Sequence, residues 1–293
     1  MRALLEEITT LLAGAARLDA ESRADAHREA RLIAAGVLDL APGELARQVD
    51  RVVPHTVADR IRAAAMRRSA GEPLAYCVGS AAFRHLVLQV DARVLIPRPE
   101  TEIVVDEVLR VCRGRSGGTA VDIGTGSGAI ALALASEGAF DRVIATDVSA
   151  DALMVAAINR DRLGPDASPV EFRAGADLAP VRDVRARVIV SNPPYISFRE
   201  ASALPCAVRD WEPATALFAD DDGMARYDAL LADAPGCLED GGWLVLEVDA
   251  RRAGLTAERA ARAGFVEVRL VKDLSGRDRV LVARAGPERH HNN

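Results

Sequence analysis

The chain has 293 residues, 49% apolar and 27% charged, with a formal net charge of −6, a length and make-up suited to one large or two ordinary soluble domains. It contains no apolar run of about 18 residues, which excludes a membrane-spanning helix, and Glu6 and Glu7 interrupt the stretch where a secretory signal needs an apolar core. The acidic balance weighs against direct binding of bare nucleic acid, and the scattered Cys77, Cys112, Cys206 and Cys237 form no CxxC pair or metal-ligand spacing, which predicts free thiols in a reducing cytoplasm.

Residues 1 to about 70 read as helical. Leu4, Leu5, Ile8, Leu11 and Leu12 recur at helical spacing and define one apolar face. A second helix is predicted from Asp19 to Gly36, a short third segment opens at Pro42-Gly43, and Thr56 is placed to cap a fourth helix ending near Ser69. Gly71 suits the left-handed position that closes such a helix. A small N-terminal helical bundle over residues 1–75 follows, with a binding or structural role, and its His27 and His55 read as ordinary histidines.

A connector, 76–95, comes next. Phe83, Leu86, Leu88 and Val90 alternate as in a short antiparallel hairpin. Two prolines then hold Ile96-Pro97-Arg98-Pro99-Glu100-Thr101-Glu102 extended, and Thr101 is placed to cap a helix containing Ile103, Val104, Val108 and Leu109.

Residues 119 to 134 predict a strand, a glycine loop and a helix. Gly124, Gly126 and Gly128 let the backbone approach a ligand closely and turn sharply into the helix, whose first amides are free to meet a polar group. The next strand, Arg142 to Thr146, ends in Asp147, about 20 residues beyond the loop, where a carboxylate can accept from both ribose hydroxyls. This half of the chain is therefore expected to bind a nucleoside-containing cofactor. The loop also satisfies G-x-G-x-x-A with Ala129 last, so a nicotinamide cofactor is the alternative. Asp122 favours S-adenosylmethionine (AdoMet), because a carboxylate there attracts a cationic group and repels a pyrophosphate.

Further strands are predicted at Val170 to Arg173, Val188 to Ser191 and Trp243 to Val248, the last following a turn at Gly241-Gly242. Helices fall around Ala152 to Leu163, Ala229 to Leu231 and 253 to 263, and a closing hairpin joins Phe265–Val268 to Val280–Val282. Alternating strands and helices followed by a hairpin predict an α/β, doubly wound, Rossmann-like sheet with a closing antiparallel hairpin over 96–285. The tail, 286–293, reads as disordered, and its His290 and His291 are too isolated for a metal site; no metal is expected.

Asn192-Pro193-Pro194-Tyr195 directly follows the β-branched run Val188 to Ser191. Two prolines cannot continue a strand, so the sequence sets an amide, a rigid carbonyl and an aromatic ring at a strand's carboxyl end, where open α/β sheets bind ligands. The Asn192 side chain and the Pro193 carbonyl can both accept from one planar NH2 group, and Tyr195 can pack on its flat face. This predicts methyl transfer to a planar nitrogen by orientation and electrostatic preorganisation.

On these residues, together with Gly71 to Tyr76, Ile96 to Glu102, Val121 to Gly128, Val208 to Ala216 and Asp273 to Arg279, the chain resembles the HemK/PrmC family of AdoMet-dependent glutamine-N5 methyltransferases. The resemblance implies that the acceptor is the glutamine of a Gly-Gly-Gln loop in a peptide chain release factor, and that the helical domain docks that partner. It implies AdoMet contacts from Gly124, Thr125, Gly126, Ser127, Gly128, Asp147 and Asn192, and glutamine contacts from Asn192, Pro193, Pro194 and Tyr195. A monomeric cytoplasmic enzyme without direct nucleic-acid or membrane contact is expected. A ribosomal-protein glutamine methyltransferase, an N6-adenine DNA methyltransferase and a non-catalytic AdoMet-binding protein are the alternatives. Gly175-Ala176-Asp177 is shifted by one residue from the family's Gly-Asp, and Glu247-Val248-Asp249 stands where the family has Glu-x-Gly.

Overall fold

The computed structural model describes residues 1–40, 42–50 and 52–286, in two compact units. The first comprises Met1–Ala81, Gln89–Ala92 and Leu204–Glu212, and the second comprises Ala82–Leu88, Arg93–Ala203 and the described chain from Pro213 onward. The expectation for the tail falls on 287–293, outside the described residues. No helix among the described residues is long and apolar enough to cross a membrane.

The first unit is helical: α1 (Arg2–Ala13), α2 (Ala20–Ala24), α3 (Ala26–Val37), α4 (Pro42–Leu45), α5 (His55–Ser69) and α6 (Leu74–Val78). Leu5, Ile8 and Leu12 of α1 meet Ile33, Leu45 and Ile61 in one core. The single helix expected from Asp19 to Gly36 is broken at Asp25, whose backbone leaves helical geometry, although Asp19 does cap the start by accepting from the Ser22 N–H at 2.7 Å. Helix α5 begins at His55, so Thr56 lies inside it and does not cap it; no side chain does. Its end is a Schellman motif, with Gly71 N–H on the Arg68 carbonyl and Glu72 N–H on the Arg67 carbonyl. Arg68 is buried and fully engaged: it donates to Glu29 Oε2 at 2.7 Å and Oε1 at 2.8 Å, to Ser22 Oγ at 2.8 Å and to the Glu72 carbonyl at 3.1 Å.

In chain order after α6 come β1 (Ser80–Phe83) and β2 (Leu86–Gln89), a two-stranded sheet, then α7 (Thr101–Val111), β3 (Thr119–Ile123), α8 (Ala129–Glu137), β4 (Arg142–Asp147), α9 (Ala150–Arg160), β5 (Val170–Ala174) and β6 (Ala186–Ser191). Beyond them lie β7 (Ile196–Ser197), α10 (Cys206–Arg209), α11 (Ala214–Leu217), β8 (Phe218–Ala219), α12 (Ala225–Cys237), β9 (Leu238–Glu247), α13 (Ala253–Arg262), β10 (Phe265–Lys272) and β11 (Asp278–Ala285). The main sheet runs β10-β11-β9-β6-β3-β4-β5. Its β9-β6-β3-β4-β5 part is parallel, and the β10–β11 hairpin adds antiparallel to β9. This is the doubly wound sheet with a closing hairpin that the sequence predicts. Alternation along the strands feeds a core on each face: Val121, Ile123 and Ile189 pack with α12 and α13, and Ala120, Val188 and Val190 with α7 and α8. The strand expected after Gly241-Gly242 instead begins at Leu238, and the glycine pair is absorbed where the β6–β9 register shifts.

The parallel registers align the strand ends. Ile123 of β3 stands level with Thr146 of β4 and Ser191 of β6, and Ser191 with Leu246 of β9. The next residue of each strand is then Gly124, Asp147, Asn192 and Glu247, and Asp147 is itself level with Ala174 of β5. Asp122 lies one step back and shares the Ala120 face. It is fully buried; its Oδ2 accepts from Thr125 Oγ1 at 2.7 Å and from Ala131 N–H at 3.1 Å, and its Oδ1 has no hydrogen-bond partner. Asp122 therefore pins the glycine loop to α8 from below and, fully buried, is not among the residues that line the cleft at the strand ends, where the sequence places it. Burial pushes its carboxyl up to about 7, against the pull of those two hydrogen bonds.

Two stability predictions follow from these buried charges. Glu29→Ala strands the Arg68 guanidinium, and we expect a loss of about 3–5 kcal/mol in the urea-unfolding free energy of the first unit; an unchanged midpoint would show the pair to be dispensable. Because Asp122 holds its proton more tightly folded than unfolded, its contribution weakens stability as pH rises between its unfolded and folded values, at about 1 kcal/mol per pH unit. Asp122→Asn should remove that component, so the variant gains on the wild type as pH is raised from 5 to 7; parallel curves would contradict the assignment.

Candidate active site

The aligned strand ends open onto a cleft within the second unit. Its walls are Gly124 and Gly126 after β3, Asp147, Val148 and Ser149 after β4, Gly175, Ala176 and Asp177 after β5, and Asn192, Pro193 and Pro194 after β6. Ile123, Ala152, Ser191, Arg93, Val94, Leu95, Pro213, Thr215, Ala216, Arg226 and Leu230 complete the lining. So Gly124, Gly126, Asp147, Asn192, Pro193 and Pro194 of the expected residues come together. Thr125, Ser127, Gly128 and Tyr195 are not in the lining. Thr125 gives its hydroxyl to Asp122, the Ser127 carbonyl accepts from Asn159 Nδ2 at 2.9 Å, and Gly128 packs under Leu132 and Ala156. These three build the loop from inside.

The cleft has the features AdoMet requires. Gly124 and Gly126 have φ of +72° and +55°, and a Cβ on either would stand in open space, so bare backbone faces the cleft. Asp147 lies beside the loop at the end of the neighbouring strand β4; its Oδ2 accepts from Gly126 N–H and its Oδ1 from Ser149 N–H, each at 2.9 Å. Each oxygen keeps a lone pair for a ribose hydroxyl. Val148, 65% exposed, and the partly buried Leu95 offer apolar surface to a base. Asp177, held at φ +48°, pairs with Arg226 at 3.0 Å. The amides at the start of α8 are less free than the sequence suggests, since Asp147 and Asp122 already take those of Gly126 and Ala131.

The acceptor side is built around Asn192. Ser191 Oγ donates to the Ile123 carbonyl at 2.7 Å and ties the end of β6 to β3; the two prolines then turn the chain away. Asn192 Nδ2 donates to Thr101 Oγ1 at 3.2 Å, and Thr101 Oγ1 donates to Glu247 Oε2 at 2.6 Å. Tyr195 OH reaches the other carboxylate oxygen, Oε1, at 3.4 Å. Thr101 is thus buried in this network, and α7 starts with no side-chain cap, contrary to the capping role expected of it. Burial raises the Glu247 carboxyl, while the Thr101 and Tyr195 hydroxyls and the Arg279 charge oppose that rise. Burial, then the nearby Glu247, pushes the Tyr195 phenol up, so it serves as a neutral donor. Sequence reasoning missed Thr101 and Glu247 as site residues. A lone carboxylate closing the apolar run Trp243 to Leu246 was the available signal.

Residues 9–79 match the PrmC N-terminal domain family and residues 101–207 the methyltransferase small domain family. The release factor glutamine methyltransferase of Cereibacter sphaeroides is 38% identical over 274 residues, covering 94% of this chain and 96% of the relative. That of Moorella thermoacetica is 40% identical over 243 residues, covering 83% and 85%. In fold, the chain is similar to a methyltransferase from Pyrococcus furiosus, with a TM-score of 0.52 at 21% identity over 77% of this chain and 98% of that one. It is likewise similar to the ribosomal protein L11 methylase of Lactobacillus delbrueckii, with a TM-score of 0.50 at 18% identity over 71% and 99%. With aligned relatives of this identity spanning nearly its whole length, the chain belongs to the release factor glutamine methyltransferase family.

Proposed function

We propose that the protein transfers a methyl group from AdoMet to the side-chain amide nitrogen of the glutamine in the Gly-Gly-Gln loop of a peptide chain release factor. The observation that carries this is Asn192, fixed at a strand end beside the glycine loop, with its amide anchored through Nδ2. AdoMet, when bound, supplies a methyl group made electrophilic by a sulfonium. Gly124 and Gly126 give it bare backbone to lie against, and Asp147 accepts from its ribose hydroxyls. Thr125, Ser127 and Gly128 hold the loop in shape.

On the acceptor side, Asn192 Oδ1 and the Pro193 carbonyl accept the two N–H groups of the glutamine. An amide nitrogen is a weak nucleophile because its lone pair is delocalised. Holding both hydrogens on fixed acceptors favours pyramidalisation and aims the lone pair, which is the orientation and preorganisation the reaction needs. The nitrogen then forms the new N–C bond as the S–C bond breaks, and it loses its proton to solvent once methylated. Pro194 rigidifies the turn, and Tyr195 supports it from behind through Glu247. The match of residues 9–79 to the PrmC N-terminal domain supports docking of a release factor by the helical region. The domains proposed are 1–75 for docking, 76–95 as connector and 96–285 for catalysis. The protein would act as a cytoplasmic monomer, and the net charge of −6 weighs against direct nucleic-acid contact.

The test uses labelled AdoMet and a purified release factor. Wild-type protein should label it, and Gln→Ala in the Gly-Gly-Gln loop should abolish labelling; persisting transfer would refute the acceptor. Asn192→Ala should lower kcat by about 100-fold or more while AdoMet affinity stays within about threefold, since the residue lost orients the acceptor. Full turnover by that variant would refute the role given to Asn192.

A further inference from the structure

Two buried side chains and the partly buried Asn192, from three separate elements, converge behind the acceptor site: Thr101 opens α7, Glu247 ends β9, and Asn192 follows β6. Thr101 and Glu247 are 4% and 1% exposed, so water cannot stand in for either partner. A hydroxyl has one hydrogen to give. That of Thr101 goes to Glu247 at 2.6 Å, the short distance of a charge-assisted bond, which leaves only lone pairs facing Asn192 at 3.2 Å. A side-chain amide meeting a lone pair must present its NH2. A flipped Asn192 would set Oδ1 against Thr101 Oγ1 with no hydrogen between them.

We propose that Thr101 and Glu247 are positioning residues that fix which way the Asn192 amide faces. Glu247 sets the Thr101 hydroxyl rotor, Thr101 sets the amide, and the amide then offers its oxygen, not its nitrogen, to the acceptor. The consequence is selectivity for a group with hydrogens to donate: an NH2 is received, and a carboxylate in the same place meets acceptors only. The Tyr195 hydroxyl reaches the second Glu247 oxygen at 3.4 Å and links the aromatic residue of the motif to the same network. This inference rests on Asn192 being the acceptor-binding group proposed above.

The experiment compares Thr101→Val, which keeps the shape but loses the acceptor, with Thr101→Ser, which restores it. Methylation of a full-length release factor is measured beside the AdoMet Kd. Thr101→Val should lower kcat/KM for the release factor about 10- to 100-fold, with the AdoMet Kd within about twofold. Thr101→Ser should recover most of that loss. A second readout needs no turnover. The chain has only Asn159, Asn192, Asn292 and Asn293, so selective 15N-Asn labelling resolves the Asn192 side-chain NH2. Its pair should show hydrogen-exchange protection in the wild type and the Ser variant and lose it in Thr101→Val. Wild-type kcat/KM and an unchanged NH2 pair in Thr101→Val would overturn the positioning role while leaving the proposed reaction standing, provided Asn192→Ala is inactive. Full activity of Asn192→Ala would take down both.

Discussion

The site depends on one alignment in the parallel sheet. Ile123, Thr146, Ser191 and Leu246 share a register row, so the next residue of four neighbouring strands is Gly124, Asp147, Asn192 and Glu247. Side chains in a strand alternate, and a slip of one residue would send each of these to the wrong face or wrong level. The row is secured by β3, which is buried along its whole length, and at its end by Ser191 bonding to the Ile123 carbonyl. A cofactor wall and an acceptor wall are thus adjacent because β3 lies between β4 and β6. No long-range loop packing is needed to bring them together.

On this frame the chain places buried polar groups with defined partners, each of which fixes a neighbour. Asp122 holds the glycine loop from beneath through the Thr125 hydroxyl and the Ala131 amide of α8, and Asp147 holds it through the Gly126 amide. Thr101 and Glu247 hold the Asn192 amide. Burying such groups is costly unless they are bonded, and burial pushes Asp122, with one oxygen unpartnered, toward its neutral form. The structure accepts that cost where rigidity serves the site: a loop that must present bare backbone, and an amide that must present one particular atom.

Much of this was legible in the sequence because it is local. The glycine loop, the acid after the next strand and the strand-breaking Asn192 to Tyr195 each carry their meaning within a few residues, and the closing hairpin followed from alternation. What was not legible is long-range or depends on side-chain direction. Thr101 reads as a helix cap because its position fits one, and its real partners lie 91 and 146 residues away. Asp122 precedes the loop and reads as a ligand, but strand alternation turns it to the α8 side. Tyr195 reads as an acceptor contact by its place in the motif, whereas its hydroxyl is drawn back to Glu247. Gly241-Gly242 reads as a turn, because a register shift that swallows two glycines has no signature in one strand alone.

The central claim is that this cleft methylates a glutamine amide presented to Asn192. Tandem mass spectrometry of a release factor incubated with the protein and AdoMet tests it most directly. The account predicts one added methyl group, on the side-chain nitrogen of the Gly-Gly-Gln glutamine, and none elsewhere. A methyl group found on another residue, or an unmodified release factor under conditions in which AdoMet binds, would contradict it.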